Sequence, residues 1–91
     1  MLKLVYKKSF KNDVKKLEKR HYDMSLLNKV IILLASGESL PAKYKEHKLS
    51  GKFEHAFECH IAPDWLLIYL RNLKTITLTF THTGTHSDLF K

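Results

Sequence analysis

Cysteine, proline and glycine are all scarce in this chain of 91 residues, with one, two and three copies respectively. A lone cysteine, Cys59, excludes an internal disulfide and favours a reducing compartment. No linker or low-complexity tract is indicated, so we expect a single domain over residues 1–91. The longest apolar run, residues 30–35, is far below the roughly 18 residues that span a bilayer. The first residues also lack an apolar run of signal-peptide length, so we expect a cytoplasmic protein with no membrane partner.

The chain is also short of acidic residues, with nine Asp and Glu against sixteen Lys and Arg and a formal net charge of +7. This surplus favours a polyanionic partner, which could be nucleic acid, a ribosome, an anionic membrane or an acidic protein. Charge alone leaves nucleic-acid binding and simple solubility equally open, because it reports on the electric field and not on the fold. The hydrophobic content of 44% is ordinary for a globular domain and argues against disorder.

Hydrophobic periodicity predicts a strand and two helices in the first half of the chain. An opening strand is indicated because Leu2, Leu4 and Tyr6 alternate with Lys3 and Lys7. Ser9 is expected to cap a first helix, and Asp23 precedes a second helix that ends near Gly37. The first helix has an inward stripe of three residues: Phe10, Val14 and Leu17. A polar and basic loop is expected over residues 40–52.

The second half predicts an antiparallel meander of three strands. In the first of them, alternate residues from Phe57 to Ile61 face the core and leave Glu58 and His60 on the opposite face. The remaining segments are a turn at 63–64, an apolar strand over 65–70, a turn at 72–74, an alternating strand over 75–80 and a polar stretch over 81–88. The order of elements is β-α-α-β-β-β, which predicts an α+β fold with helices packed on one sheet.

Histidine is the abundant reactive residue, with six copies. Cleavage of an RNA phosphodiester without metal requires a base for the 2′-hydroxyl, an acid for the leaving 5′-oxygen and cations for the phosphorane-like transition state. Histidine suits both proton roles because its ordinary pKa, about 6.5, lies near operating pH. His47, His60 and His86 with Asp64 and Lys52 would form such a set if the basic loop and the C-terminal segment folded over the sheet.

Plainer alternatives accompany these residues. A loop histidine is usually solvated, Asp64 also fits a simple turn, and Trp65 is more often a core anchor than a stacking platform. A zinc site could be drawn from four residues: Cys59, His60, His82 and His86. Cys59 and His60 point to opposite faces of a predicted strand, and the other two lie in an irregular stretch, so we expect no metal. A cysteine nucleophile is disfavoured because Cys59 falls on the core face.

Three segments resemble the signature blocks of one known family. They are EHKLSGK at 46–52, ECHIAPDWLLIY at 58–69 and TGTHSDLF at 83–90. In order, spacing and total length they are similar to the RelE superfamily of bacterial toxins, closest to its YafQ branch, and the resemblance extends over nearly the whole chain. It implies a RelE-like fold, with two N-terminal helices on one side of a twisted antiparallel sheet.

The resemblance also implies an activity and its partners. A YafQ-like toxin enters the ribosomal A site of the 70S ribosome and cleaves messenger RNA by metal-independent acid–base chemistry, with no cofactor. A cognate antitoxin holds such a toxin inactive. The expected antitoxin is DinJ-like, a ribbon-helix-helix protein that binds DNA, and the toxin would reach operator DNA only through it.

The family pattern implies catalytic or substrate-contacting roles for six residues: His47, His60, Asp64, Trp65, His86 and Phe90. We expect His86 to be the general acid, His60 or His47 the base, and Asp64 to orient a histidine. Trp65 and Phe90 would position bases or support the site. Phosphates would contact four lysines and one histidine: Lys43, Lys45, Lys48, Lys52 and His82.

Two positions depart from the family pattern. His82 and Phe57 stand where relatives commonly carry arginine, which clamps a phosphate with two hydrogen bonds and a permanent charge. A weakly active or inactive homologue that acts mainly as an antitoxin-binding corepressor is therefore the alternative function. A relative that poisons DNA gyrase would need neither His47 nor His86, and their presence argues against that activity.

Overall fold

A computed structural model describes residues 2–49 and 55–90. Its elements in chain order are β1 (Lys3–Tyr6), α1 (Lys8–Lys19), α2 (Met24–Ala35), a 3₁₀ turn (Ala42–Tyr44), β2 (His47–Lys48), β3 (Ala56–Ala62), β4 (Trp65–Asn72), β5 (Thr77–Gly84) and α3 (His86–Leu89). The α+β class, the two early helices and the late meander are confirmed. No helix within these ranges is long and apolar enough to cross a membrane.

The sheet is mixed rather than antiparallel. Among the described residues its order is β1-β5-β4-β3-β2, and every neighbouring pair is antiparallel except the first. β1 lies parallel to β5, with Lys3 opposite Thr77 and Tyr6 opposite Phe80. The expectation of an antiparallel sheet was therefore wrong at this edge. In the described chain, two helices and three strands separate β1 from β5, and only β5 pairs with β1. A connection this long permits parallel pairing.

The two helices begin differently. α2 starts as predicted, because the Asp23 carboxylate accepts the backbone N–H of Ser25 at 3.0 Å. α1 starts two residues earlier than predicted, because its N-cap is Lys7 rather than Ser9 and has no capping side chain. Ser9 instead donates its hydroxyl to the carbonyl of Thr81 at 2.7 Å and joins α1 to β5. A tertiary hydrogen bond therefore replaces the expected local one.

One face of the sheet is covered by the helices. Six fully buried side chains form the centre of this core: Leu17, Val30, Leu34, Tyr69, Leu78 and Phe80. Cys59 and Ile61 lie in the same cluster, as their alternation predicted. Burying each large apolar side chain contributes on the order of 1.5–3 kcal/mol, so this face supplies most of the stability of the fold.

The opposite face has its own buried patch and carries the polar groups. Leu66 and Ile68 of β4 are buried outside the helix-covered cluster. Their partners on β3 are His60, opposite Leu66, and Glu58, opposite Ile68. β4 is buried on both faces, which explains its continuous apolar run. We call this side the open face, since no helix of the described residues packs on its centre.

A β-bulge changes the alternation near the end of β5. Pairing with β4 passes from Tyr69 opposite Phe80 to Ile68 opposite His82, which leaves Thr81 as an extra residue. After the bulge Thr83 is buried and His82 is exposed. We expected residues 81–88 to be an irregular polar stretch, and this expectation was wrong. These residues complete β5 and then form α3. The strand expected from residue 75 begins at Thr77, after a turn.

Candidate active site

Four aromatic rings, from β2, β3, α3 and the residue after α3, lie next to one another in succession. The ring centroids of His47 and His60 are 6.4 Å apart, and those of His60 and His86 are 5.9 Å apart. Phe90 follows, 6.5 Å from the ring of His86. We call the first three rings the histidine row. The three histidines chosen from the sequence thus come together, although they lie 13 and 26 positions apart along the chain.

Asp64 fixes the ring of His86. Its Oδ1 accepts the backbone N–H of His86 at 3.0 Å and lies 2.7 Å from Nδ1 of the same residue. An ionised carboxylate only accepts, so Nδ1 carries a proton and Nε2 is left to act on a substrate. The backbone N–H of His86, followed by its side chain, lowers the pKa of Asp64. The aspartate expected to orient a histidine is therefore in contact with the histidine expected to be the acid.

The short helix that carries His86 is built by local contacts. Thr85 accepts the backbone N–H of Asp88, and the Asp88 side chain accepts the N–H of Thr85, which forms a capping box. Gly84 precedes it with φ of +157°, and a Cβ there would lie 3.0 Å from Oδ2 of Asp88. A side chain at this position would press on the capping aspartate, so glycine favours the close approach of the strand end to Asp88.

Arg20 ties this helix to the end of α1. Its two guanidinium nitrogens donate to the two carboxylate oxygens of Asp88 at 2.9 and 3.2 Å. The arginine, with the backbone N–H of Thr85, holds the pKa of Asp88 well below its usual range. A pair from opposite ends of the sequence therefore keeps α3, and with it His86, against the body of the protein.

Glu58 is the residue that sequence reasoning missed. Its side chain is 8% exposed, and its Oε1 lies 3.4 Å from Nε2 of His47 and 3.8 Å from Nε2 of His60. Nδ1 of His47 lies 3.0 Å from the carbonyl oxygen of Lys45, so that nitrogen is the protonated one and Nε2 faces Glu58. The available signal was its position, since Glu58 is the one acid on β3 and lies on the open face two residues before His60.

A second acid, Glu46, fixes the chain beside His47. Its carboxylate accepts the hydroxyl of buried Tyr69 and the guanidinium of Arg71, the latter at 3.0 Å. The Arg71 guanidinium also lies 4.8 Å from the ring centre of Phe57. Phe57 stands where the family resemblance leads us to expect arginine. The cation beside it is Arg71, which is already paired with Glu46.

Two buried side chains near the site have shifted acidities. Burial raises the pKa of Tyr69, and the Glu46 hydrogen bond raises it further. Burial raises the pKa of the Cys59 thiol to about 12, and the side chain has no exposed surface. A thiol of this kind stays protonated and out of reach of a substrate, so Cys59 is a core residue.

Trp65 does not offer a face for stacking. Only 3% of it is exposed, its ring packs edge-on against Tyr22, and its Nε1 donates to the hydroxyl of Thr83 at 2.9 Å. The prediction that Trp65 contacts RNA bases is therefore wrong, because a base cannot reach the ring. Its position leaves only the supporting role, since Thr83 lies on β5 one residue before Gly84.

His82 lies beside α1. Its Nδ1 is 2.9 Å from Oδ2 of Asp13, which also accepts the backbone N–H of Thr83 at 3.1 Å. A phosphate contact of His82 stays a prediction. Of the four residues considered for zinc, His60 and His86 are neighbours, whereas Cys59 is buried in the core and His82 lies against Asp13. Within residues 2–49 and 55–90, no group of three or more His, Cys, Asp or Glu could hold a metal ion.

The predicted lysines surround the row unevenly. Lys48 is exposed on β2, next to His47. Lys43 and Lys45 line a cavity that His60 also lines. Lys52, a further predicted phosphate contact, lies outside the described residues. Positive charge is therefore concentrated at the end of the row formed by β2 and β3.

Known proteins of similar sequence and structure agree with one another. The family described as a bacterial toxin of type II toxin-antitoxin system, YafQ, matches residues 2–91. The mRNA interferase toxin YafQ of Escherichia coli K12 is 42% identical over 86 residues, which cover 93% of this chain and 91% of that protein. The E. coli DinJ-YafQ complex contains a chain with a TM-score of 0.93 and 39% identity, and the match covers all of both chains. A copper-bound mutant toxin from Helicobacter pylori has a TM-score of 0.90 and 44% identity, over 99% of this chain and all of that one.

Proposed function

Because the chain belongs to the YafQ family of type II toxin–antitoxin toxins, we propose that it is an endoribonuclease that cuts messenger RNA on the ribosome. The observation that carries this proposal is the histidine row, in which two neighbouring imidazoles each have a carboxylate at one ring nitrogen. At His86 the carboxylate of Asp64 is hydrogen-bonded to Nδ1, so it selects the tautomer and leaves Nε2 for proton transfer. The row thus offers an acid and a base side by side.

His60 takes the proton of the 2′-hydroxyl in this scheme. Oε1 of Glu58 lies 3.8 Å from Nε2 of His60, and its negative charge compensates the charge that the ring gains when it takes the proton. The 2′-oxygen attacks the phosphorus, and the bond from phosphorus to the 5′-oxygen breaks. Nε2 of His86 gives its proton to that oxygen, and the products are a 2′,3′-cyclic phosphate and a free 5′-hydroxyl. No metal or cofactor enters the reaction.

Cations stabilise the charge that develops on the phosphorane. His47 lies beside His60 for this role, with its Nδ1 proton directed to the Lys45 carbonyl and its Nε2 facing Glu58. Lys48 on β2 adds a permanent charge next to it. Placed cations of this kind contribute most where water is excluded, as in a decoding site filled by messenger RNA. Phe90, 45% exposed, supplies the face on which a base stacks.

A cognate antitoxin is the second part of the proposal. The relative from E. coli was solved in a DinJ-YafQ toxin-antitoxin complex, and the chain of that complex superposes on this one over its full length. We therefore expect a DinJ-like, ribbon-helix-helix antitoxin that holds the toxin inactive and connects it to operator DNA. Antitoxin binding needs none of the proton chemistry, so it separates from cleavage in mutants.

The test is induced expression of wild type and His86→Ala in a bacterial host, with messenger 5′ ends mapped in both. We expect growth arrest and new in-frame cuts from wild type only, because in-frame cutting requires a translating ribosome. His21→Asn is the matched control: this exposed histidine has φ of +64°, which asparagine tolerates, and lies outside the row. It should arrest growth like wild type.

The antitoxin supplies the second readout. His86→Ala should still co-purify with the antitoxin, since Nε2 of His86 serves the chemistry alone. Arrest without cuts, or equal toxicity of His86→Ala, would sink the nuclease mechanism. Antitoxin binding by a wild type that neither arrests growth nor cuts would establish the corepressor alternative.

A further inference from the structure

A cavity of about 410 Å³ lies beside the histidine row, between α2, the 3₁₀ turn and the end of β3. One of its walls is the segment from His60 to Pro63, which leads directly to Asp64. The volume falls within the range of pockets that hold small ligands. A molecule in this cavity would therefore lie against the base of the proposed reaction.

Three lysines give the cavity its charge. Lys29 comes from α2, and Lys43 and Lys45 come from the 3₁₀ turn and the residue after it. Among the described residues no carboxylate lines this cavity, and none of the three lysines takes part in an ion pair. Their charges are thus available to an anion, and phosphate suits a flexible point charge such as the lysine ammonium.

Apart from His60 and the hydroxyl of Tyr44, the rest of the lining is apolar. Leu26 of α2 is 43% exposed, and Ala62 and Pro63 face the cavity from the end of β3. An apolar wall beside cations suits a molecule with a flat apolar part and a charged part. A nucleotide has both, because its base presents a π-face and its phosphate a negative charge.

We propose that this cavity holds the nucleotide of the RNA strand that neighbours the scissile phosphate, with its base against Leu26 and its phosphate at Lys29. This inference rests on the proposed function and adds Lys29 and Leu26 to the substrate contacts. Since the cavity shares His60 with the row, it determines which nucleotide accompanies the cut. Sequence preference then arises here rather than at the histidines.

The first experiment measures binding without cleavage. Purified toxin is titrated against a short fluorescein-labelled RNA whose 2′-hydroxyls are all methylated, by fluorescence anisotropy between about 50 and 200 mM salt. Each lost phosphate contact lowers the slope of log affinity against log salt by about 0.7 for single strands. Lys29→Ala should show that loss, with affinity about fivefold weaker at 0.1 M salt.

Lys3→Ala is the matched control, because Lys3 is exposed on β1, at the edge of the sheet opposite to β2. It removes the same charge and should leave the slope unchanged. Equal slopes for Lys29→Ala and wild type would overturn the inference, as would equal losses in the two variants. Lack of measurable RNA binding by wild type would also overturn it.

The second experiment tests the base wall. Leu26→Trp fills the cavity from α2, and Ile32→Trp makes the same change at an exposed position of the same helix outside the cavity. In the expression assay, Leu26→Trp should change the nucleotides found beside the cuts, and Ile32→Trp should not. Cuts with unchanged neighbours in Leu26→Trp would contradict the inference while leaving the nuclease intact. RNA binding with the predicted slopes, but no cuts from wild type, would support the cavity and refute the proposed reaction.

Discussion

The two ends of the histidine row hold their rings in opposite ways. At α3, Asp64 has 64% of its side chain exposed, yet its oxygen lies 2.7 Å from Nδ1 of His86. At β3, Glu58 has 8% of its side chain exposed and lies 3.4 and 3.8 Å from its two imidazoles. Water solvates an exposed carboxylate whatever its partner does, so Asp64 acts mainly through geometry. A buried carboxylate needs a compensating charge, so Glu58 acts mainly through electrostatics.

This difference suits the two proton transfers. The acid must point Nε2 at one oxygen of the substrate, and a short, directed hydrogen bond fixes that direction. In the proposed reaction the base, His60, and the phosphate-binding group, His47, both interact with the negative charge of Glu58. Because Glu58 is buried, water screens this interaction little. Mutations at the two ends should therefore have effects of different kind as well as of different size.

The largest effect on cleavage is expected at the end of the histidine row where the buried Glu58 lies between His47 and His60. His60→Ala should lower the rate of cleavage about 10²–10⁴-fold, the usual contribution of a positioned general base. Glu58→Gln keeps the shape and should cost clearly less, since His60 remains. Single-turnover cleavage on programmed ribosomes compares the two variants. Equal losses would mean that Glu58 itself is the base and that His60 serves the transition state.

The next largest effect on cleavage is expected at the α3 end of the row, where the exposed Asp64 contacts His86. Asp64→Asn can still accept the two bonds from His86 and removes the negative charge of the side chain. Because Asp64 acts mainly through geometry, the rate of single-turnover cleavage should fall, but clearly less than in His60→Ala. A loss as large as that of His60→Ala would show that the charge of Asp64 is needed as well as its position.

Tyr69→Phe should affect His47 indirectly, through Glu46, the residue before it in the chain. It removes the hydroxyl that Glu46 accepts and leaves the carboxylate with Arg71 alone. A hydrogen bond to a charged group contributes about 1.5–3 kcal/mol, so the free energy of unfolding in urea should fall by about that amount. Cleavage should fall less than in His60→Ala, because only the position of His47 is loosened. An unchanged free energy of unfolding would exclude this anchoring role.

Arg20→Gln should have the smallest effect. The pKa of Asp88 is lowered in the folded protein, so the pair stabilises the fold above the ordinary pKa of an aspartate, 3.8, and this contribution declines as pH falls below it. At neutral pH the variant should unfold at slightly lower urea than wild type, and the difference should shrink as the pH is lowered below that value. A difference that is constant with pH would mean that the pair contributes nothing through charge.

Much of this molecule followed from short-range patterns. The period of two in β3 predicted which residues face the core, and with it that His60 lies on the other side from Cys59. The cap at Asp23 and the glycine at 37 predicted α2 to within two residues. The chemistry of RNA cleavage selected His47, His60, His86 and Asp64, and these residues do lie together.

Long-range pairing was beyond such patterns. The parallel edge at β1 and the bond from Ser9 depend on segments more than 70 residues apart, with a separation of 72 for the bond, and the extra residue at Thr81 depends on the pairing of β5 with β4. Glu58 and Glu46 were missed for a related reason. An acid on a strand is expected to be solvated until the neighbouring strand is known to bury it. For Trp65 the residue type favoured a core position and the family resemblance added a contact with bases, and its burial agrees with the core position.

The parallel edge also bears on how the protein comes into being. β1 precedes both N-terminal helices, yet its partner β5 is the last strand of the described sheet, and α3 with His86 follows at once. Contacts so distant in sequence form late, after the intervening chain has been made. A nascent chain that lacks β5 has neither a partner for β1 nor a fixed position for His86. Under the proposed function, a polypeptide still being made therefore cannot cut messenger RNA before β5 and α3 have been added.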